Sequence, residues 1–492
     1  MPHLNKRSTQ RLFGILTVSL VCLYIIITTS NLSFFNDLGP YNEKRFLQVT
    51  LLIFLAVCTA TLFRHSIHTV VNRFPGTVKI LLLPLFLIGI LSSINTNNPL
   101  LSITETGQFA LLFITCLAIA AAYIAAPNAC QKIILFSIVT LALIQTTSVL
   151  TAYTAAMASS VDWHSHDLFL GFSNIRFFNQ LQSWTLPLIV LPLILYTQKN
   201  KRLFIGILFI SACWWLLLLI SGSRGTMLAM AIAIIASLAI YQKHAITWIR
   251  LQLIAAAIGF ALYLLLFYII PFMLAVEIND TSITRLSSVN ARFYLWERSW
   301  FFIQQNPFLG IGPMHYACDP QNLIAAHPHN SIFQIAAEWG LPAAFITLFI
   351  FLYGLYCWIK GNNQSQPTEE ATKSLNIRIA LFASLIAGTT HSLFSGVIVM
   401  PVSQTMMILV IGWMIGIHFS SRPQRKESNI TSTLFPAIVI ISISFLVIGI
   451  HQNPPPQETM KVQNLTASKF IPRFWQQGKT CAFEELSSKT TL

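Results

Sequence analysis

His327 and His329 lie in the run His327-Pro328-His329-Asn330, directly ahead of an apolar helical pattern, SIFQIAAEWG. Ser331 followed three residues later by Gln334 is a capping-box signature, so a helix should begin immediately after His329. The positive end of a helix dipole disfavours an imidazolium, which keeps His329 neutral and basic. Free N–H groups at the same end suit a phosphate or diphosphate. The chemistry these types and spacing suit is deprotonation of an acceptor hydroxyl beside a bound diphosphate. His329 would be the base, with His327 assisting or capping. Asn330 stands next to the base, and Glu338, two turns on, would orient a partner or pair with an arginine. The competing reading of an HxH segment is a structural or metal-binding pair. No carboxylate or cysteine stands at ligand spacing, so no metal is expected.

Four arginines fall at or near the same side of the chain: Arg176 (GFSNIRFFNQ), Arg224 (ISGSRGTM), Arg285 and Arg292. Guanidinium is suited to bidentate capture of phosphate oxygens and stays charged when partly desolvated. Arg224 has only Ser221-Gly222-Ser223 before it and Gly225 after it between two apolar runs, which holds it close to lipid headgroups. Its bland reading is a snorkelling interfacial arginine. His164 and His166, with Asp162 and Asp167 beside them, read as a solvated loop ahead of a metal or pH-sensitive cluster. His391 in TTHSLFSG marks either a cavity or a bond to a backbone carbonyl.

The elements that must position these groups are membrane helices. Apolar residues make up 55% of the chain and charged ones 9%, against about 25% charged in soluble proteins. The apolar residues fall in runs long enough to cross a ~30 Å hydrocarbon core as helix, with no barrel-like alternation. Thirteen such runs, from Leu12–Ser30 through Phe46–Phe63, Gly107–Ala126 and Leu181–Tyr196 to Leu434–Ile450, predict an all-α polytopic bundle of about 12–13 transmembrane helices. The expected organisation is N-terminal helices over 1–270, a long outward catalytic loop over 271–340, C-terminal helices over 341–450 and an outward tail over 451–492. Within the loop, Arg292–Gln304 reads as an amphipathic interfacial helix, with Trp296 and Trp300 on one side beside Phe293 and Ile303. Asn306-Pro307 ends it and Gly310-Ile311-Gly312 permits a tight turn.

The net charge of +14 invites a nucleic-acid partner, but most of the 30 Lys and Arg fall in loops that alternate onto the side of the N-terminus. That is the positive-inside pattern, so the expected partner is the bilayer, with the N-terminus cytoplasmic and no nucleic acid. Leu12–Ser30 lacks a small-x-small cleavage site and reads as the first membrane helix. No Walker loop or GxGxxG is present, which argues against a nucleotide-driven pump. Among eight cysteines only Cys318 and Cys481 fall outward, where an oxidising compartment would let them pair or leave them as two free thiols.

The SGSRG segment that opens one span resembles the bacterial O-antigen ligase and polymerase superfamily, which includes protein O-oligosaccharyltransferases. So does the loop with Arg292 and Trp300, NPFLGIGP and HPHNSIFQIAAEWGLP. The resemblance runs over about residues 171–404. It implies about twelve membrane helices and transfer of a glycan from undecaprenyl diphosphate to an acceptor hydroxyl, in the periplasm of a bacterial inner membrane, without cofactor or metal. By motif, His329 would be the base, with Arg224 and Arg292 holding the diphosphate and Arg176 a third cation. The acceptor would be lipid A–core, a pilin-like protein, or a growing glycan. The extra C-terminal span and tail depart from that pattern. A transporter or flippase of lipid-linked sugar is the alternative from another class. It would require ionisable residues near span centres and an internal repeat, and the spans read as nearly free of charge.

Overall fold

The computed structural model describes residues 6–35, 37–159, 164–197, 200–274, 288–322, 324–361, 368–420, 429–455, 471–476 and 478. The described residues form a helical bundle: α1 (Lys6–Thr29), α2 (Gly39–Thr61), α3 (Arg64–Arg73), α4 (Gly76–Ile94), α5 (Pro99–Ala125) and α6 (Pro127–Ala158) come first. Then follow α7 (Ile175–Thr185), α8 (Leu191–Tyr196), α9 (Lys201–Ser221), α10 (Arg224–Tyr241), α11 (Ile246–Leu264) and α12 (Ile270–Leu274). The third group is α13 (Ser288–Gln305), α14 (Ser331–Trp339), α15 (Leu341–Lys360), α16 (Glu369–Ser392), α17 (Pro401–Ser420) and α18 (Asn429–Gln452).

Among the described residues, ten helical stretches are long and apolar enough to cross a membrane. The thirteen runs read from the sequence all fall on helices, and the smaller number has a physical origin. Arg224–Leu274 is one stretch of 51 residues, but Gln242 breaks it with φ 50° and ψ −128°. The 18 and 19 residues of α10 and α11 are each about 27–28 Å long, one bilayer core. α16 begins in polar sequence, EEATKSLNIR. The run expected at Leu181–Tyr196 is a broken helix.

That break is built by Pro187 and Pro192, which cannot donate to the helical ladder. Carbonyls freed inside a membrane protein must find donors elsewhere. Trp248 Nε1 donates to the Pro187 carbonyl at 2.8 Å and Gln252 Nε2 to that of Leu186 at 2.9 Å. Gln182 Nε2 of α7 in turn donates to the Trp214 carbonyl at 2.7 Å. Polar side chains in these spans therefore complete backbone hydrogen bonding around the interruption, and α7 points its N-terminus at the site.

Helix α5 is the hub, packing against α1, α2, α4, α17 and α18. The N-termini of α2, α5, α7, α10, α14 and α17 and the C-termini of α16 and α18 gather at one end of the bundle, here termed the loop face. There Arg45 Nη1 of α2 donates to Gln48 and Gln404, both at 2.7 Å, and Gln108 Nε2 reaches Gln404 at 3.0 Å. Segment 471–476 lies in the same network: Tyr41 donates its hydroxyl to the Arg473 carbonyl at 2.7 Å and Arg45 Nε donates to that of Phe474 at 3.0 Å.

Candidate active site

The HPHN run leads into α14, whose cap sits one residue earlier than the capping-box reading placed it. Asn330, not Ser331, is the N-cap: its side chain accepts from the N–H groups of Ile332 at 3.0 Å and Phe333 at 3.1 Å. Ser331 is free to pair its hydroxyl with that of Ser392 at 2.8 Å, tying α14 to the end of α16. Asn and Ser are comparable caps, and the extended backbone at Asn330 (φ −147°) decides which one acts.

His329 has φ 55°, a left-handed conformation that a β-carbon disfavours. Its N–H donates to Nδ1 of His327 at 3.3 Å, and the two rings meet edge to face at 4.2 Å. That bond needs an unprotonated Nδ1, which places the proton of a neutral His327 on Nε2. His327 is buried, its ring pressed on Gly396, where any side chain would overlap it. Dense surroundings, then the guanidinium groups of Arg176 and Arg292, hold the His329 imidazole down at about 3. His327 is held well below its ordinary value by burial and by the charges of His329, Arg473 and Arg176. Both imidazoles are therefore neutral at physiological pH.

Arg176 follows the Asn174 cap at the start of α7 and is exposed. Arg292 lies on α13, where burial lowers its pKa. Helix α13 is amphipathic, but its faces differ from those read in the sequence. Leu295, Ser299 and Ile303 form the buried side, Trp296 packs on Phe333, and Phe293, Trp300 and Phe301 are exposed. Arg298 anchors the helix through a bidentate pair with Asp319 at 2.9 and 3.1 Å.

The SGSRG segment is a helix-to-helix corner. Gly222, at φ 61°, ends α9, and Ser223 caps α10 by accepting from the Thr226 N–H. Arg224 is exposed at the first position of α10 and has no side-chain partner among the described residues. Gly225 rests on the ring of His391, whose Nδ1 shares a hydrogen bond with Ser183 at 2.7 Å. His391 also lies within electrostatic reach of Arg292. Arg176, Arg292, His327 and His329 thus form one electrostatic cluster, and Arg224 joins the same end of the bundle through Gly225 and His391.

Glu338 lies two turns along α14 from its N-cap and is paired with an arginine, one of the two roles read from the sequence. It is fully buried and accepts from the Tyr316 N–H at 3.2 Å and from Arg473 Nη2 at 2.6 Å. Arg473 simultaneously meets both oxygens of Glu105 at 2.7 and 2.8 Å. The Gln334 amide, turned with its oxygen toward Arg473, accepts at 2.6 and 2.9 Å. Burial raises the Glu338 carboxyl, to about 8, against the opposing pull of Arg473. Arg473, Glu105 and Arg45 are the residues that sequence reasoning passed over, and Gln334 entered it only as part of a capping box. Glu105 gave the available signal, a carboxylate two residues outside the expected span Gly107–Ala126 in a chain with only 16 acids.

The glycine turn clasps the far end of α14. Ile311 N donates to the Ala337 carbonyl at 2.9 Å, Gly312 N to that of Glu338 at 3.0 Å and Leu341 N to that of Pro307 at 2.8 Å. Gly310 and Gly340 both have positive φ, and a β-carbon on either would overlap the opposing backbone. Cys318 is disulfide-bonded, while Cys481, Arg285 and Asp162 lie outside the described residues. Asp167 accepts from the His164 N–H at 3.0 Å. Among the described residues no group of three His, Cys, Asp or Glu is placed to hold a metal ion.

Fold and site together define a polytopic membrane protein with a histidine–arginine centre at one end of its bundle. Residues 206–348 match the family model for O-antigen ligase. The match runs from α9 into α15 and takes in Arg224, Arg292, His327, His329 and Glu338, while Arg176 and Arg473 lie outside it. Over that stretch the chain is similar to the O-antigen ligase family. A search of curated proteins finds no match.

Proposed function

We propose that the protein transfers a glycan from undecaprenyl diphosphate to an acceptor hydroxyl at the loop face, on the periplasmic side of a bacterial inner membrane. The observation that carries this reading is the left-handed, buried His329 beside His327, its imidazole kept neutral by burial and by the charges of Arg176 and Arg292. A base must be unprotonated before its acceptor arrives, and flanking cations keep it so. The same cations suit a diphosphate, whose negative charge on binding would raise the imidazole toward its ordinary range and strengthen it as a base.

In the proposed step His329 takes the proton of the acceptor hydroxyl as that oxygen attacks the anomeric carbon of the donor. The bond from the anomeric carbon to the diphosphate oxygen breaks and its electron pair leaves with the undecaprenyl diphosphate. Arg176, Arg224 and Arg292 stabilise the charge that develops there, which is where preorganised donors act most strongly. Charge stabilisation by three guanidinium groups supports a reaction that needs no metal. The exposed aromatic side of α13 supports an interfacial seat for the helix, with the lipid-linked donor entering beside it.

The test is transfer by purified protein given lipid-linked glycan and an acceptor hydroxyl, with no ion gradient. We expect product from the wild type and a loss of at least about 10²-fold in His329→Ala, a general base's usual contribution. Normal transfer by an inserted, abundant His329→Ala protein would overturn the mechanism. The acceptor is proposed to be lipid A–core or a pilin-like protein. Comparing the lipopolysaccharide ladder with intact pilin mass in a deletion strain distinguishes these from each other and from polymerisation of a growing glycan.

A further inference from the structure

Arg473 lies far along the chain from the cluster around His329, yet the fold buries it beneath that cluster. Its guanidinium joins Glu105 of α5 to Glu338 and Gln334 of α14. Its backbone is fixed as well: Tyr41 and Arg45 of α2 hold the Arg473 and Phe474 carbonyls, and Gln476 N donates to Asn42 at 2.7 Å. Trp475 closes the segment by donating to the Asn453 carbonyl at the end of α18. A side chain 1% exposed with three charge-bearing contacts is not a surface tether.

We propose that Arg473 is a positioning residue for His329: segment 471–476 locks α14 against α5 and so fixes the HPHN run at the N-terminus of α14. The lock has a mechanical and an electrostatic arm. Mechanically, Gln334 and Glu338 are one turn apart on the short helix that Asn330 caps, and both are gripped by one planar group. Electrostatically, the Arg473 charge adds to burial, and acts with that of Arg176, in keeping His327 neutral. A neutral His327 can accept the His329 N–H and hold that residue in its left-handed conformation; a protonated one cannot. Loss of Arg473 therefore loosens both the helix and the bond that orients the base. The charged groups bearing on this assembly are Arg176, Arg292, His327, His329, Glu105, Glu338 and Arg45.

The inference rests on the proposed transfer reaction for its kinetic readout but has a second readout that does not. Arg473→Met alone would strand two buried carboxylates, so the decisive variant is Arg473→Met with Glu105→Gln and Glu338→Gln. Hydrogen–deuterium exchange on the full-length proteins is expected to show at least tenfold faster exchange across 327–339 in the triple variant, with α9 and α11 unchanged. Exchange at the wild-type rate overturns the proposal, whether or not transfer is observed. In transfer assays the triple variant is expected to lose at least tenfold in kcat with donor KM within about twofold. Arg473→Lys, which keeps the charge and its carboxylate partners but not the planar bridge, should keep the wild-type pH profile while losing kcat. Wild-type kcat in the triple variant also overturns it. A wild-type protein that transfers nothing while the exchange difference persists sinks the transfer reading alone.

Discussion

His329 combines two costs that an ordinary loop residue would avoid, a left-handed backbone and a desolvated imidazole. Both make sense if its ring must stay neutral in a field of cations. Removing one cation should then be readable as a titration. Arg292→Met takes away a positive charge that disfavours the imidazolium, so the His329 pKa rises. The acidic limb of kcat/KM, which reports the free enzyme, should move to higher pH and donor KM should increase. A limb that moved down would contradict the electrostatic account. The histidines and arginines were legible in the sequence because few other residues in so apolar a chain can do chemistry. Arg473 was not, since its role depends on Glu105, 368 positions away, and no spacing rule spans that distance.

Helix ends rather than helix middles build the site, and helix ends are where hydropathy reads least well. Apolar windows placed α2 from Phe46 and α5 from Gly107, whereas the helices start at Gly39 and Pro99. The added turns are polar, yet they stay helical because Arg45 and Glu105 find buried partners. Asn330→Ala should cost about 0.5–2 kcal/mol through loss of the cap on α14, measured as a fall in Tm. Gly310→Ala should be more damaging, because the left-handed turn and the close approach to the backbone of Glu338 both exclude a methyl group. At the broken helix, Gln252→Leu removes the Leu186 carbonyl's donor. A loss of about 1–3 kcal/mol is expected from thermal unfolding in detergent. A Tm unchanged from the wild type would mean that these carbonyls find other donors.

Across the whole molecule, the all-α membrane class was written plainly in composition and run length, because lipid leaves so few ways to satisfy a backbone. The convergence of six N-termini on one end was not, because it follows from the breaks at Pro187 and Gln242 and from packing around α5. Ion pairing beneath the loop face also sets an order of assembly. Glu105 and Glu338 are made and buried long before their shared counter-charge exists. At about 5–20 residues per second, the 135 positions between Glu338 and Arg473 separate them by roughly 7–27 s of synthesis. The tail can reach back only after α18 has been laid down. A growing chain would therefore hold α1 to α18 while the histidine end stayed unlocked, and the base would be set in place only after the helices around it.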